Sequence, residues 1–138
     1  MIAPSSVAAS LLVALGGGTG ALLRFHLGRA VGRLFPAASG AFPFATLAAN
    51  VIGSLCMGLL VGILARHGSD KGMGAEGWRL LVGVGLLGGF TTFSSFSLEI
   101  LNLWERGDPA LAAIYAAVSV AAGIAGLFLG LTVIRIAG

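Results

Sequence analysis

Long apolar runs alternate with short polar ones along this chain. Its charged residues set off four uncharged stretches, Met1–Leu23, Leu34–Ala65, Leu80–Leu98 and Pro109–Ile134. At about 1.5 Å of rise per helical residue, a hydrocarbon core of ~30 Å takes roughly 20 residues, so each stretch has the length to cross a bilayer. The pattern predicts an all-α integral membrane protein, a single transmembrane domain over residues 1–138 with helices over about 6–33, 44–65, 78–103 and 109–134.

The joints carry matching signals. Pro36, Ser39, Gly40 and Pro43 supply turn chemistry between helices one and two, and Pro43 can open the second helix. Residues Arg66–Gly77 form a polar, glycine-rich segment, the one sizeable extramembrane loop. Trp78 and Trp104 mark the two ends of helix three as interfacial aromatics. The run Glu105-Arg106-Gly107-Asp108-Pro109 reads as a short turn, with Asp108 as N-cap and Pro109 as the first residue of helix four.

Composition removes most other classes. With 57% hydrophobic and 9% charged residues, and a mean hydropathy of +1.02, the chain is not a soluble globular domain. A net charge of +3 invites a nucleic-acid reading, but the basic residues at 24, 29, 33, 66, 71, 79, 106 and 135 form no stripe. They sit near the ends of the apolar runs, where Lys and Arg reach lipid head groups. Cys56 is the only cysteine, which excludes an intrachain disulfide or a multi-cysteine metal site. Residues Met1–Leu23 carry no charge, so the basic start of a cleaved signal peptide is missing and this stretch is expected to be a retained first helix.

Small residues recur at four-residue spacing: Ser54, Gly58 and Gly62 on helix two, Gly28 and Gly32 after helix one, and Ala113, Ala117, Ala121 and Ala125 on helix four. Such rows let helix backbones approach closely, so the 23 glycines predict tight packing between helices or subunits. Orientation follows from the basic residues. Four spans put Arg66, Lys71, Arg79 and Arg135 on one side and Arg24, Arg29, Arg33 and Arg106 on the other. Such a balance gives insertion no strong direction, and an antiparallel, dual-topology homodimer is the expected consequence.

Within the spans, Thr46, Asn50 and Ser54 share one face of helix two. Thr46 and Ser54 alone would read as interhelical hydrogen bonders. A primary amide in hydrocarbon must satisfy both donor and acceptor, and Asn50 in this company marks a pathway or polar cavity. Helix three contains Gly88-Gly89-Phe90-Thr91-Thr92-Phe93-Ser94-Ser95-Phe96-Ser97, poor chemistry for a continuous helix. Two readings stand: a break mid-membrane whose freed carbonyls need protein, water or an ion, or a kink with hydroxyls bonded back to preceding carbonyls. Phe93 and Phe96 are ordinary packing or lipid-facing aromatics by default, yet beside a polar track their ring edges suit an anion. Tyr115 and Ser119 are polar positions one turn apart on helix four; Tyr115 also fits an interfacial belt.

Other chemistry finds no support. The span centres are expected to lack Asp, Glu, Lys, Arg and His, which leaves no proton-coupling carboxylate and no buried nucleophile with a base, so an enzyme is not expected. His26 and His67 have no partner at metal-ligand spacing. Gly16-Gly17-Gly18-Thr19-Gly20-Ala21 matches a dinucleotide fingerprint, but the acid required about 20 positions later is missing.

Three blocks bring the chain close to a known family. They are Gly16-Gly17-x-x-Gly20-Ala21-x-x-Arg24, Thr46-Leu47-x-x-Asn50-x-x-Gly53, and Gly88-Gly89-Phe90-Thr91-Thr92-Phe93-Ser94-Ser95-Phe96-x-x-Glu99. Over nearly its whole length the sequence resembles the small bacterial fluoride channels called Fluc or CrcB. The resemblance implies a dual-topology homodimer with an inverted copy, multi-pass in the inner membrane, that passively exports fluoride and lowers its cytoplasmic toxicity. It implies that Phe93 and Phe96 offer ring edges to fluoride, that Asn50 donates its amide, and that Thr46, Thr92, Ser95, Tyr115 and Ser119 line the path. It further implies that helix three is broken mid-membrane and that the break holds a structural, untransported sodium ion through the backbone carbonyls of Gly88 and Thr91 from both subunits. Ser95 stands where many members carry threonine, with the hydroxyl kept. Neutral donors and ring edges can hold a small anion weakly enough to release it. Two rivals are a proton-coupled dual-topology exporter, which needs a helix-one carboxylate that residues 1–23 lack, and a non-transporting assembly subunit.

Overall fold

A computed structural model describes residues 4–67 and 74–137. Among the described residues every element is helical: α1 (Ser6–Leu34), α2 (Pro36–Ala41), α3 (Phe44–His67), α4 (Gly74–Trp78), a π-pitched segment Arg79–Leu87, α5 (Gly88–Phe90), α6 (Phe93–Glu105) and α7 (Pro109–Ile136). They make four candidate membrane spans, with α4 through α6 forming the third, Gly74–Glu105.

The spans run further than the apolar stretches that predict them. α3 continues to His67 and the third span starts at Gly74, so helix takes up both ends of the expected 66–77 loop, whose residues 68–73 lie outside the described ones. Polar caps explain part of the extension. Arg66 Nη1 donates to the Ile134 carbonyl at 2.8 Å, which satisfies a last-turn acceptor of α7. The joint expected as a plain turn after helix one contains the single-turn helix α2, and Arg106 donates to the Gly40 and Ala41 carbonyls at 3.1 and 3.3 Å.

α6 ends in a Schellman turn. Gly107 takes φ 87°, its N–H reaches the Trp104 carbonyl at 3.0 Å, and the Asp108 N–H reaches that of Leu103 at 3.1 Å. Pro109 opens α7 as expected; Asp108 holds the N-cap position without a side-chain cap bond.

Glycine sets the packing. α1 lies against the π-pitched segment and α5, whereas α3 lies against α7. A Cβ on Gly16 or Gly20 would strike the Leu81 or Leu86 carbonyl oxygen, and one on Gly58 or Gly130 would strike that of Leu127 or Leu55. The contact row on α7 runs through Ala112, Tyr115, Ser119, Gly126 and Gly130, all buried. The alanine row predicted from spacing points the other way, with Ala113, Ala117, Ala121 and Ala125 exposed. Glycine wins that face because its backbone comes closer than alanine's methyl permits. Gly28 and Gly32 likewise meet no helix, with nothing near where a Cβ would stand.

The third span changes partner partway along. Its first half rides on α1 and its second half, α6, on α7. There a small core of Leu103, Ala112 and Tyr115 gathers Phe42, Leu47, Phe96, Ile100 and Leu111. Large apolar side chains such as Leu11, Leu15, Val120, Ile124 and Phe128 point outward from the bundle, the arrangement a lipid-facing surface requires.

Candidate functional site

Where the third span changes partner, its backbone leaves the helix for two residues. Thr91 sits at φ −79°, ψ 160° and Thr92 at φ −151°, ψ 121°. Thr91 still donates backward, with both its N–H and Oγ1 at 2.9 Å from the Leu87 carbonyl. In an uninterrupted helix the Thr92 N–H would return to the Gly88 carbonyl. Instead it donates to Asn50 Oδ1 at 2.8 Å, and Asn50 Nδ2 donates to the Thr92 carbonyl at 3.2 Å. A side-chain amide thus replaces the helical partner of both backbone groups.

The next helix starts on a local cap. Thr92 Oγ1 accepts from the Ser95 N–H at 3.2 Å and donates to Ser95 Oγ at 3.1 Å. Upstream, Arg24 Nε donates to the Gly89 carbonyl at 3.3 Å. Arg24 and Arg29 share a cavity of about 400 Å³ with Gly28, Thr46, Thr92 and Ser95, and no acidic side chain lines it. The Arg29 guanidinium also lies 5.6 Å from the centre of the Phe25 ring.

One turn of α6 beyond Ser95, the carboxylate of Glu99 collects two hydroxyls. Thr46 Oγ1 donates to Oε1 and Tyr115 Oη to Oε2, each at 2.6 Å. Bonds this short lie at the close end of the range for a hydroxyl donating to oxygen. The Tyr115 ring is fully buried, flanked by Phe42 at 5.3 Å and Phe96 at 5.2 Å between centroids. Phe93 lies 5.8 Å from Phe96 but is 80% exposed on the single chain. Ser119 Oγ is buried beside Tyr115 without a hydrogen-bond partner of good geometry.

The predicted residues therefore fall into two linked groups. Asn50, Thr92 and Ser95 meet at the interruption, while Thr46, Tyr115 and Phe96 meet around Glu99, with Ser119 one turn along α7. Ser54, predicted to extend the polar row, lies against Gly123 of α7. Tyr115 is buried and gives its hydroxyl to Glu99, so the belt reading of that residue fails. Gly88 and Thr91 flank the point where the backbone departs from the helix.

Two residues were missed. Neither stands at a span centre, Glu99 lying six residues before the end of the third span and Arg24 ten before the end of the first, yet each bonds a polar partner on another span. Both carry a sequence signal: a lone charged residue between apolar neighbours, Leu98-Glu99-Ile100 and Leu23-Arg24-Phe25, well inside a helix. Among the described residues no group of three or more His, Cys, Asp and Glu side chains could hold a metal ion.

The chain matches known proteins over most of its length. The family model described as CrcB-like protein, Camphor Resistance (CrcB), matches residues 11–131. A Novosphingobium aromaticivorans protein named Fluoride-specific ion channel FluC is 55% identical over 127 residues, covering 92% of this chain and 96% of its own. A protein of the same name from Erythrobacter litoralis is 50% identical over 129 residues, 93% of each chain. One from Beijerinckia indica is 51% identical over 126 residues, 91% of this chain and 95% of its own. With four candidate spans and relatives matched almost end to end, this multi-pass membrane protein belongs to the CrcB family.

Proposed function

We propose that the protein is a passive fluoride channel of the bacterial inner membrane that lets accumulated fluoride leave the cytoplasm. The observation that carries this reading is the near-complete match to proteins named fluoride-specific ion channels, at about half identity over both chains. The geometry supports an anion rather than a cation path. Arg24, Arg29 and three hydroxyl-bearing residues line one cavity, and a polar cluster continues inward from it. Two guanidiniums lining this cavity raise the local concentration of a small anion.

Each side chain then has a task. Asn50 holds the interrupted backbone open with one N–H and its carbonyl; its second N–H has no protein partner among the described residues and is available to the anion. Thr92 and Ser95 supply hydroxyls at the start of α6. Phe93 and Phe96 offer ring edges, whose partial positive charge attracts an anion without binding it tightly. Thr46, Tyr115 and Ser119 continue the donors inward. Weak, successive sites permit release as well as capture.

The subunit is completed by a second, inverted copy. The exposure of Phe93 and of the Gly88 region supports this, because a ring that lines a pore needs an opposite wall and the single chain gives it none. The Gly88 and Thr91 carbonyls suit a hard cation such as sodium: Asn50 takes the N–H that would have closed on Gly88, and unwound backbone carbonyls are sodium ligands elsewhere in membranes. Sodium, when bound there, would add fixed positive charge between the two subunits.

The test is efflux. Liposomes containing only this protein and loaded with fluoride are expected to release it to an external fluoride electrode without a proton gradient. Flux that requires a proton gradient would favour an exporter, and retention of fluoride would favour a non-transporting subunit.

A further inference from the structure

The bundle is built from two helix pairs, α1 with the third span and α3 with α7, and the seam between α1 and α3 stays open. Gly28 and Gly32 on the α1 side have nothing within 4 Å of a Cβ position. Across the seam lies a groove of about 570 Å³, bounded by Val31 and Phe35 of α1, Phe44, Ala48 and Val51 of α3, and Ala122 of α7. Its described lining is wholly apolar. The groove follows α3 from its first residue for roughly 10 Å, two turns into the hydrocarbon. Water has no partners there, since a buried water needs two to four polar groups. A void of this size would forfeit dispersion contacts for every side chain around it, so the bilayer supplies the filling.

The boundary end of the groove meets polar chemistry. Val31 and Phe44 also line a second cavity, of about 240 Å³, shared with Asn102 and Arg106 where α6 stops. The Arg106 side chain is half exposed. It gives one N–H to the Gly40 carbonyl and one to that of Ala41, and Asp108 stands at 4.0 Å, beyond hydrogen-bond reach. Its positive charge therefore faces neutral acceptors and one distant carboxylate. Glu99, the acid that lines the same cavity, has its two oxygens engaged by Thr46 and Tyr115.

We propose that this seam is a phospholipid site: one acyl chain lies in the groove between Val31 and Ala122, and the phosphodiester sits on Arg106 with Asn102 beside it. The proposal goes beyond the channel reading and does not depend on it. The two cavities are ordered as a lipid is ordered, apolar toward the middle of the bilayer and basic at the helix ends. A guanidinium suits a phosphate in geometry as well as in charge. Small residues set the width of the groove on both far walls, Ala48 on α3 and Ala122 on α7, and a larger side chain at either would close it.

The experiment is photocrosslinking in maltoside micelles, using a phospholipid with a diazirine at mid-chain and mapping the labelled peptides. Crosslinks to Phe35, Ala48 and Val51 should saturate as the probe is added. Unlabelled phospholipid should compete for them about fivefold better than diacylglycerol, the scale of one basic residue facing a lipid phosphate. Crosslinks to Val120, Ile124 and Phe128, on the open face, should follow the bulk probe without saturating. Arg106→Gln keeps an amide donor for the α2 carbonyls but no charge, and should erase the advantage of phospholipid over diacylglycerol. Ala48→Phe should fill the groove and abolish its labelling; Ala122→Leu does the same from α7 should A48F not assemble. Competition unchanged in R106Q would overturn the proposal, as would groove labelling that never saturates, which is bulk lipid alone. A disulfide between two copies through Phe35→Cys in a Cys56→Ala background, with the groove unlabelled, would overturn it too and seat a second copy there. None of these readouts uses fluoride, so failure of the lipid site leaves the channel reading standing, and the reverse holds.

Discussion

Asn50 and Thr92 are joined by two hydrogen bonds that make the side chain of one residue stand in for the helix of the other. Oδ1 accepts the Thr92 N–H at 2.8 Å and Nδ2 donates to the Thr92 carbonyl at 3.2 Å. Asn50→Leu keeps the branched outline but strands both backbone groups in a partly buried place, at a cost of about 2–4 kcal/mol. Thermal unfolding should fall accordingly, amide exchange at Thr92 should accelerate, and fluoride efflux should be lost. Asn50→Asp retains the acceptor for the Thr92 N–H but loses the donor and adds charge. It should preserve the exchange protection of that N–H better than Asn50→Leu while still blocking flux.

Glycine positions divide into those that touch another backbone and those that do not. Gly58→Ala places a methyl against the Leu127 carbonyl oxygen and should lower subunit stability by about 1–3 kcal/mol. Gly28→Ala meets nothing within 4 Å and should be neutral or slightly stabilising in the α1 interior, by up to about 1 kcal/mol. Chemical denaturation in detergent compares the two directly. Equal effects would mean that the α3–α7 approach is looser than described.

Spans, turns and the Asn50, Thr92 and Ser95 positions were legible because each leaves a local mark: an apolar run, a proline, or a polar residue out of place. What stayed hidden depends on partners. Nothing within the Ala113–Ala125 row reveals that α7 turns its glycines, not its alanines, toward α3. The charges of Arg24 and Glu99 looked peripheral because the residue that satisfies each, Gly89 for one and Thr46 for the other, lies more than 50 positions away. Glycine, threonine and serine suit an interruption and a kink equally, so the local sequence does not choose between them. Asn50, 42 positions upstream of Thr92, supplies the extended-backbone hydrogen bonds.

Arg24 also alters the orientation arithmetic. Bonded to Gly89 inside the bundle, it no longer counts at a membrane boundary, which leaves Arg29, Arg33 and Arg106 against Arg66, Lys71, Arg79 and Arg135. A difference of one remains a weak instruction. A cysteine added after Gly138 in a Cys56→Ala background should react with an impermeant thiol reagent from both faces of the membrane. One added Lys beside Arg33 should make the two sides equal, and two should reverse the bias. Labelling from one face only, unchanged by these additions, would refute dual insertion.

Sodium removal tests the carbonyl site separately from the path. If Gly88 and Thr91 share a cation across two subunits, exchange into a buffer of a large organic cation should weaken dimerisation or silence efflux, and sodium should restore it. Thr91→Ser keeps the backbone carbonyl and the hydroxyl that bonds Leu87, so sodium dependence should be unaltered. Assembly and efflux that ignore sodium would assign the Gly88 and Thr91 carbonyls to another partner.

Phe93 and Phe96 differ in a way that separates function from folding. Phe96 packs on Tyr115 with 5.2 Å between centroids, so Phe96→Ile disturbs the small core as well as the path. Phe93 is 80% exposed and its nearest ring is Phe96, so Phe93→Ile takes little from the subunit. Each ring edge contributes on the order of 1 kcal/mol to a favourable contact, and losing one should reduce fluoride flux roughly five- to tenfold. For Phe93→Ile that loss should come with unchanged thermal stability of the subunit and an intact dimer by cross-linking; for Phe96→Ile both flux and stability should drop. Phe93→Tyr keeps the ring and should keep much of the flux. Full flux in Phe93→Ile would remove its ring edge from the path and leave it an interface residue only.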